Sequence, residues 1–581
     1  MHLSLPCFGF ALLNAITTVA IAPAPLLGPA YPPPTDLTTT SSVVPKAWAE
    51  VANTLTSWTA SKDPVEGQVP DFGSYTFSVG AFSMYDPGAT EMLQYHHTAP
   101  DVKNSTTGAT EADGDSVYRI ESVSKVFTVY LTLIKIGSVY WDRSITEFIP
   151  YLADFAKKTT PDPLNVVDWT DVTLGALAGH LAGVPRDISI ASDDVLLSQG
   201  LDVSAEGLPP LNVSDPSSID PCFRYDNATN TSCMGTPYLE AVTKRPPIFL
   251  PWSTPIYSNL AYNLLSLALT NITNQTFAAA LQKDMLDPLS LTSTGLSGTK
   301  NLSHVIIPGG LSDASIDTTD YASGELYSSV NDLAKFGIAI LNSTLLPAEE
   351  TRKWLKPITH TSSLDLSVGR PWEIYRITQP VTGRTNDLYA KDGAGTGYSS
   401  FLILSPDHGA GFSILISGVQ DPSKACSAVA DALTSIVLPA FEAQAATEAS
   451  QHFAGTYISR TPGLNSSIEL VVNASYGPGL VLNSWVSNGT DMFSWLIAAG
   501  ITDELSLFPT DLRSAPADKV GQWAFRATYG NSSLMSTEGL GPFMKQTVGA
   551  EIFQAVDSYF YGGVSLDLFV VDVDGNGSAT S

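Results

Sequence analysis

The stretch Tyr118-Arg-Ile-Glu-Ser-Val-Ser-Lys125 runs directly into Val126-Phe-Thr-Val-Tyr-Leu-Thr-Leu-Ile-Lys-Ile-Gly137, and it constrains this chain more than any other. Val126, Phe127, Val129, Tyr130, Leu133, Ile134 and Ile136 cover nearly every side of a helix, so that helix has to be buried, and Gly137 stops it. At its head stand Ser122 and Lys125. Helical positions i and i+3 share a face, so the hydroxyl and the amine meet over one turn. Backbone N–H groups and the dipole at a helix N-terminus also favour a developing oxyanion there. A rigid buried helix with this pair at its mouth suits a nucleophile. The same Ser-x-x-Lys pattern recurs at Ser297-Gly-Thr-Lys300 in a Gly/Ser/Thr-rich loop, so the motif needs its context.

That context starts with the compartment. Met1 to about Ala22 reads as a secretory signal, with the apolar body Phe8-Gly-Phe-Ala-Leu-Leu-Asn-Ala-Ile and small residues before Pro23. Thirteen of the 21 asparagines stand in Asn-x-Ser/Thr sequons: Asn104, Asn212, Asn227, Asn230, Asn271, Asn274, Asn301, Asn342, Asn465, Asn473, Asn488, Asn531 and Asn576. Chance would place about four there if Ser and Thr make up roughly a fifth of residues. The expectation is a secreted glycoprotein. Cys7 leaves with the signal, Cys222 and Cys233 bracket a polar loop and are the natural disulfide, and Cys426 is left as a buried free thiol in an apolar helical segment. A net charge of -28 repels nucleic acid and anionic membranes, so neither is expected as a partner, and no later run reads as a membrane span. Oligomeric state has no sequence signal.

A length of 581 residues calls for several domains. Residues 23–71 read as a lead-in, Pro/Thr/Ser-rich at first, with a short helix over Ala47–Ser61. Thr76–Tyr85 alternates as a strand and Glu91–His97 returns as a second. Trp169–Gly183 reads as helical, Asp187–Ile248 as an irregular insertion, and Tyr257–Thr270, Phe277–Leu286 and Ser329–Leu341 as helices. Tyr398–Leu404 and Gly411–Ser417 are buried strands joined by a turn, and Ser427–Leu438 closes this part as a helix. Pro439 and the Ala/Glu/Gln-rich stretch after it read as a boundary, with a linker at 441–450 between a catalytic domain at 72–440 and an all-β domain at 451–581.

Two further elements follow Ser122 in order. Tyr257-Ser-Asn259 enters an apolar helix, and Lys391-Asp-Gly393 stands where a strand passes a site closely. Each recurs elsewhere, Tyr-x-Asn at Tyr225 and Tyr529 and Lys-x-Gly at Lys135 and Lys519, so the ordered set carries the signal. It resembles the serine β-lactamase and penicillin-binding-protein superfamily, on the class C β-lactamase-like esterase branch, of the secreted fungal type. The resemblance covers roughly Phe72 to Leu438 and includes Leu177-Ala-Gly-His-Leu-Ala-Gly183 and Gly324-Glu-Leu-Tyr-Ser-Ser329. It implies an α/β (α+β) β-lactamase/transpeptidase-like domain: an antiparallel sheet flanked by helices, plus a helical cluster. The C-terminal domain resembles lipocalin-like tails of the family.

By that resemblance Ser122 is the acylated nucleophile, Lys125 takes its proton, and Tyr257 is the second acid/base. Asn259 orients Lys125 and the substrate, and Lys391 lowers the cost of a deprotonated Tyr257. The oxyanion hole is the amide of Ser122 with that of Ala394, beside Gly393, whose missing side chain lets the strand approach. Asp392 departs from the pattern, since the family has a hydroxyl there that helps bind substrate carboxylates. An anionic side chain repels them, unless it points away or pairs with Lys391. Glu121, where a small residue is commoner, is a lesser departure. No cofactor or metal is implied: there is no His-Glu-x-x-His and no paired-Cys spacing, and the Asp572–Gly577 run stops short of a complete calcium loop. The absence of Gly-x-Ser-x-Gly argues against an α/β-hydrolase. His180 reads as a helix-terminal structural residue, not a base. The expected partner is a small-molecule ester or amide. Acyl transfer or lactone formation in secondary metabolism, and a non-catalytic binding protein on this fold, stand as alternatives.

Overall fold

The protein is described by a computed structural model covering residues 28–188, 207, 235–296, 302–309, 322–380, 383–473, 477–499, 504–516, 519–530 and 556–580. The signal, the Cys222–Cys233 pair, Ser297, Lys300 and the sequons at Asn212, Asn227, Asn230, Asn301 and Asn531 lie outside the described residues. Chain contacts divide it into two units: Pro33–Gln379 with Thr385–Ala445, and Ala446–Ser581 with Met1–Pro32 and Pro380–Arg384.

The larger unit is built on strands whose alternate residues feed two cores. In chain order its strands are β1 (Thr76–Ser83), β2 (Gln94–His97), β3 (Tyr118–Arg119), β4 (Gly295–Leu296), β5 (Leu326–Ser328), β6 (Thr359–His360), β7 (Leu366–Val368), β8 (Glu373–Thr378), β9 (Thr385–Gly395), β10 (Tyr398–Ser405) and β11 (Ala410–Ser417). Eight of them form an antiparallel sheet in the order β2-β1-β11-β10-β9-β8-β7-β6. The helices that matter here are α1 (Val44–Ala60), α2 (Ser124–Ile136), α3 (Leu174–Ala178), α4 (Asn259–Thr273), α5 (Val330–Leu341) and α6 (Ser423–Phe453). Phe401 and Ile403 of β10, with Phe412, Ile414 and Ile416 of β11, pack into the cluster holding α1 and α6. Leu402, Leu404 and Leu415 face the opposite way, into the cluster of α2, α4 and α5. Helices cover both faces of the sheet, which is why these strands read as near-continuous apolar runs.

The helix that follows Ser122 is deeply packed. Every residue of α2 from Ser124 to Leu133 is buried. Phe127 stacks on Phe336 of α5 at 3.8 Å and an interplanar angle of 4°, and Tyr130 meets the edge of that ring at 5.7 Å. The short sheet β3-β5-β4 then holds the approach to Ser122, with Tyr118 opposite Ser328 and Arg119 opposite Tyr327.

Three expectations change. Only Leu174–Ala178 of the stretch Trp169–Gly183 is helical, because Thr173 caps its start through Ala176 N–H and Gly179 ends it. The second strand is Gln94–His97, preceded by a short helix at Ala89–Met92. The helix expected to close at Leu438 continues: α6 runs through Pro439 to Phe453, across the 441–450 stretch, while the division between the two units still falls within that stretch, at Ala445–Ala446. An interior proline costs about 3 kcal/mol, and burial of Val429, Leu433, Val437, Leu438 and Phe441 outweighs it. Among the described residues α6 alone is long and apolar enough to cross a membrane, and most of its apolar window is buried inside the protein.

The smaller unit contains a seven-stranded antiparallel sheet, with Gly455–Ile458, Ser467–Val471, Leu480–Ser487, Glu504–Arg513, Gly521–Gly530 and Leu568–Val573 in spatial order and Thr490–Asp491 beside Leu480–Ser487. Trp485 reaches Phe569 at 5.6 Å although two strands lie between theirs. A flat sheet spaces strands about 4.8 Å apart, so this one curves strongly.

The packing of α2 on α5 generates a prediction. Phe336→Ala removes the ring that clasps both Phe127 and Tyr130, and should cost about 3–5 kcal/mol, read as a lowered denaturant midpoint. A midpoint equal to wild type would show that α2 is not held by this stack.

Candidate active site

The chain reaches Ser122 through a tight, doubly anchored turn. Ile120 N–H bonds to Leu326 O at 2.9 Å, and Ile120 O accepts from Ser400 Oγ at 2.7 Å. Glu121 takes a left-handed φ of 48°, a conformation rare outside glycine and enriched at functional turns. A short 3-10 turn, Glu121–Val123, leads into α2. The other Ser of the motif, Ser124, is structural: its Oγ accepts from Leu326 N–H at 3.1 Å.

Lys125 is fully buried. Its ammonium donates to Ser122 Oγ at 2.9 Å, Asn259 Oδ1 at 2.7 Å and Ser323 O at 2.6 Å. Tyr257 OH donates to the same Ser122 Oγ at 2.5 Å. The structure therefore brings Ser122, Lys125, Tyr257 and Asn259 together. Ser258 caps α4, its Oγ accepting from Ala261 N–H at 3.0 Å and donating to Pro185 O at 2.7 Å. Asn259 Nδ2 donates to Asp187 Oδ1 at 2.8 Å, which fixes the amide so that its oxygen faces Lys125.

Three cations surround the Tyr257 ring: Lys125 Nζ at 4.8 Å, Arg186 Cζ at 5.1 Å and Lys391 Nζ at 5.2 Å. His180 stacks on it at 4.6 Å. His180 Nδ1 accepts from Ser258 N–H at 3.2 Å. Burial, reinforced by Lys125, Lys391 and Arg186, holds its pKa well below the usual 6.5, so the imidazole is neutral. It is a buried, helix-terminal residue at a left-handed φ of 58°.

Lys391 is also fully buried, and its partners are charged. It donates to Glu373 Oε1 at 2.5 Å, to Asp392 Oδ1 at 2.6 Å and to Asp392 O at 2.9 Å. Glu373 Oε2 closes the ring by accepting from Asp392 N–H at 3.1 Å. Burial drives the Lys391 pKa down, but Glu373, Tyr257 and Asp392 outweigh it and raise it above the usual lysine value. Burial raises Asp392 too, and the charge and hydrogen bond of Lys391 outweigh that and hold it low. Glu373 goes the other way: burial pushes it up to about 6, with Asp392 adding to the rise against the pull of Lys391. Asp392 thus pairs with Lys391 while its side chain stays 47% exposed.

The strand β9 passes against Ser122. A methyl group on Gly393 would overlap Ile120 O and lie 2.9 Å from Ser122 N. Ala394, next along, is exposed and registers with Ser399 of β10. The profile of the family described as beta-lactamase matches residues 80–434. The chain belongs to the β-lactamase family. A second profile, for a beta-lactamase-like-like C-terminal domain, matches residues 445–581. The chain is similar to a beta-lactamase-like protein of Arthroderma benhamiae, 31% identical over 98% of this chain and 96% of that one. It is also similar to a probable hydrolase, clz13, of Cochliobolus lunatus, 24% identical over 69% of this chain and 66% of the relative. Among solved structures, a β-lactamase/D-alanine carboxypeptidase of Yersinia pestis aligns at 16% identity over 69% of this chain and 99% of its own, with a TM-score of 0.47.

Within this β-lactamase-family site, sequence reasoning missed Glu373, Arg186, Asp187 and Ser323. None belongs to a short motif. Arg186 and Asp187 follow Gly183-Val-Pro185 directly, and their place beside a helix-ending segment was the available hint. Glu121 had registered only as an oddity; its carboxylate occupies the space over Gly395, where a side chain would collide with it.

Gly393→Ala tests the close approach. The new methyl must push β9 off Ser122, and displacements near 1 Å cost about 100-fold in rate. The expected result is a folded protein, by circular dichroism, whose Ser122 reacts with a fluorophosphonate at least about 100-fold more slowly. Unchanged labelling would mean that β9 does not shape the site.

Proposed function

We propose that this chain is a secreted, glycosylated serine hydrolase that cleaves an ester or amide bond of a small molecule through an acyl-Ser122 intermediate. The observation that carries the reading is Ser122 Oγ held between Lys125 Nζ at 2.9 Å and Tyr257 OH at 2.5 Å. A nucleophile joined to two proton-transfer groups, each positioned by further bonds, is the arrangement covalent acyl transfer needs. For this step Lys125 must be the neutral amine: it takes the hydroxyl proton as Oγ attacks the carbonyl carbon, becomes the ammonium, and returns that proton to Oγ when the acyl group leaves. The resulting oxyanion is met by the amides of Ser122 and Ala394. The tetrahedral species collapses, the bond to the leaving group breaks, and Tyr257 passes that group a proton. Water activated at the same place then releases the acid and restores the serine. The relative named a probable hydrolase supports water as acceptor. Export is supported by the N-terminal apolar stretch and the sequon excess, and by exposure of Asn104, Asn271, Asn274, Asn342, Asn465, Asn488 and Asn576.

An active-site fluorophosphonate followed by mass spectrometry should place the adduct on Ser122. Ser122→Ala should abolish it, and Lys125→Ala or Tyr257→Phe should lower turnover by several orders of magnitude, since such residues act as a unit. Ser297→Ala should behave as wild type. An adduct on any other residue sinks the assignment, and faster product formation with an added alcohol as acceptor would favour acyl transfer over hydrolysis.

The half-exposed Asp392 carboxylate favours neutral esters over donors that carry a carboxylate, penicillins and peptides with a free C-terminus included. Two unit charges 4 Å apart repel by about 4 kcal/mol at an effective dielectric near 20, before solvent and Lys391 reduce it. A residual of about 1.4 kcal/mol is tenfold in selectivity. Asp392→Thr should therefore raise kcat/KM for a carboxylate-bearing ester relative to its neutral analogue by about tenfold. A ratio that stays put would show that Asp392 does not read substrate charge.

A further inference from the structure

Glu373, Lys391 and Asp392 form a closed group in which one ammonium serves two carboxylates. With both acids ionised the sum is one surplus negative charge. That charge lies beside Tyr257, whose ring is 5.2 Å from Lys391 Nζ and whose hydroxyl is 2.5 Å from Ser122 Oγ. The lysine is fully buried and Glu373 is 24% exposed, so solvent screens the surplus poorly. Such a group relieves itself by binding a proton on the less exposed acid. The charged and titratable groups around this cluster are Lys391 and Asp392 on β9, Tyr375 on the strand of Glu373, Tyr257 and Tyr262 at the head of α4, Lys125 of α2, whose charge reaches Asp392, and Arg370 and Asp431, whose charges reach Tyr262 and Tyr375. Burial drives Tyr262 well above its usual value and Tyr375 up to about 12, so both stay neutral where Glu373 titrates.

We propose that Glu373 is a specificity-determining residue that sets the charge of the Lys391 group: ionised, it makes the group net negative and excludes anionic acyl donors; protonated, it leaves the group net neutral and admits them. Glu373 touches Lys391 and the Asp392 amide, not the reacting atoms, so it acts on which donor is accepted and not on the chemistry of acylation. The direction follows from the protonation equilibrium. Glu373 is raised to about 6 from an ordinary value of 4.5, so the group is neutral below about pH 5 and negative above about pH 7. Selectivity for neutral over anionic donors therefore rises with pH. This rests on the acyl-Ser122 reading, and it deepens the reading of Asp392 by making that residue's effect conditional on its neighbour.

The test uses the full chain and two esters with the same leaving group, 4-nitrophenyl butyrate and 4-nitrophenyl 3-sulfopropanoate. The sulfonate stays ionised throughout, so the ratio of the two kcat/KM values reports the protein alone. Effects of pH on the shared Ser122, Lys125 and Tyr257 chemistry cancel in that ratio. In wild type, the preference for the neutral ester should rise about tenfold between pH 5 and pH 7.5, the change expected for about 1.4 kcal/mol of added repulsion. In Glu373→Gln it should stay flat, at the wild-type acid value. A flat wild-type ratio overturns the proposal, and so does a Glu373→Gln ratio that still climbs with pH. The wild-type series decides the matter by itself if the variant does not fold. Fluorophosphonate labelling in the same samples separates the two levels: a labelled Ser122 with a flat ratio removes only the charge filter, whereas no label on Ser122 removes the hydrolase reading and the filter with it.

Discussion

A fully buried ammonium is the constraint on which the rest of this structure depends. Taking the Lys125 charge out of water costs several kcal/mol, which only well-aligned hydrogen bonds offset. Its three acceptors come from three separate places: Ser122 one turn back, Asn259 at the head of α4, and the Ser323 carbonyl just before β5. None of these segments satisfies the lysine alone. The charge therefore couples them, and each is in turn held by something else. Asp187 fixes the Asn259 amide, and β5 pairs with the β3 strand that leads back to Ser122. Ser122 is thus a member of a loop of contacts that closes on itself, which holds its hydroxyl in place.

The second buried lysine has the same problem and a different solution. The three bonds described for Lys125 run to neutral oxygens. Lys391 is met by two carboxylates, so the cation nearest the strand side of Tyr257 is cancelled and then exceeded. Arg186 is likewise matched, by Asp187 at 3.1 Å. Three positive groups surround one tyrosine ring, yet their partners make them unequal. The field at the site is set by those partners as much as by the lysines themselves.

What was legible in the sequence was what local chemistry controls. The α2 helix shows itself through its all-round apolar surface, and β10 and β11 through their uninterrupted apolar runs. The order Ser122–Lys125, Tyr257–Asn259, Lys391–Gly393 was readable because each group is short in sequence. The misreadings share a cause. Pro439 is a local stop signal, and α6 overrides it because the residues on either side bury a common face. Trp169–Gly183 is apolar enough for a helix, but the Thr173 cap and Gly179 leave room for little more than one turn. Asp392 was readable as an anion in the wrong place, and its pairing with Lys391 stood as one of two possibilities.

The sequence by itself determined the buried helix and the order of the short groups Ser122–Lys125, Tyr257–Asn259 and Lys391–Gly393, since these follow from residue type and from spacings of two or three positions. Only the tertiary structure decided the company they keep. Glu373 is 18 residues from Lys391 and belongs to no motif. It arrives because β8 and β9 pair with Glu373 opposite Ala390, a register fixed by which faces of the sheet are buried. Asp187 reaches Asn259 across 72 residues because Ser258 caps α4 against Pro185. Electrostatic partners are chosen by distance in space, and no pattern along the chain records that distance.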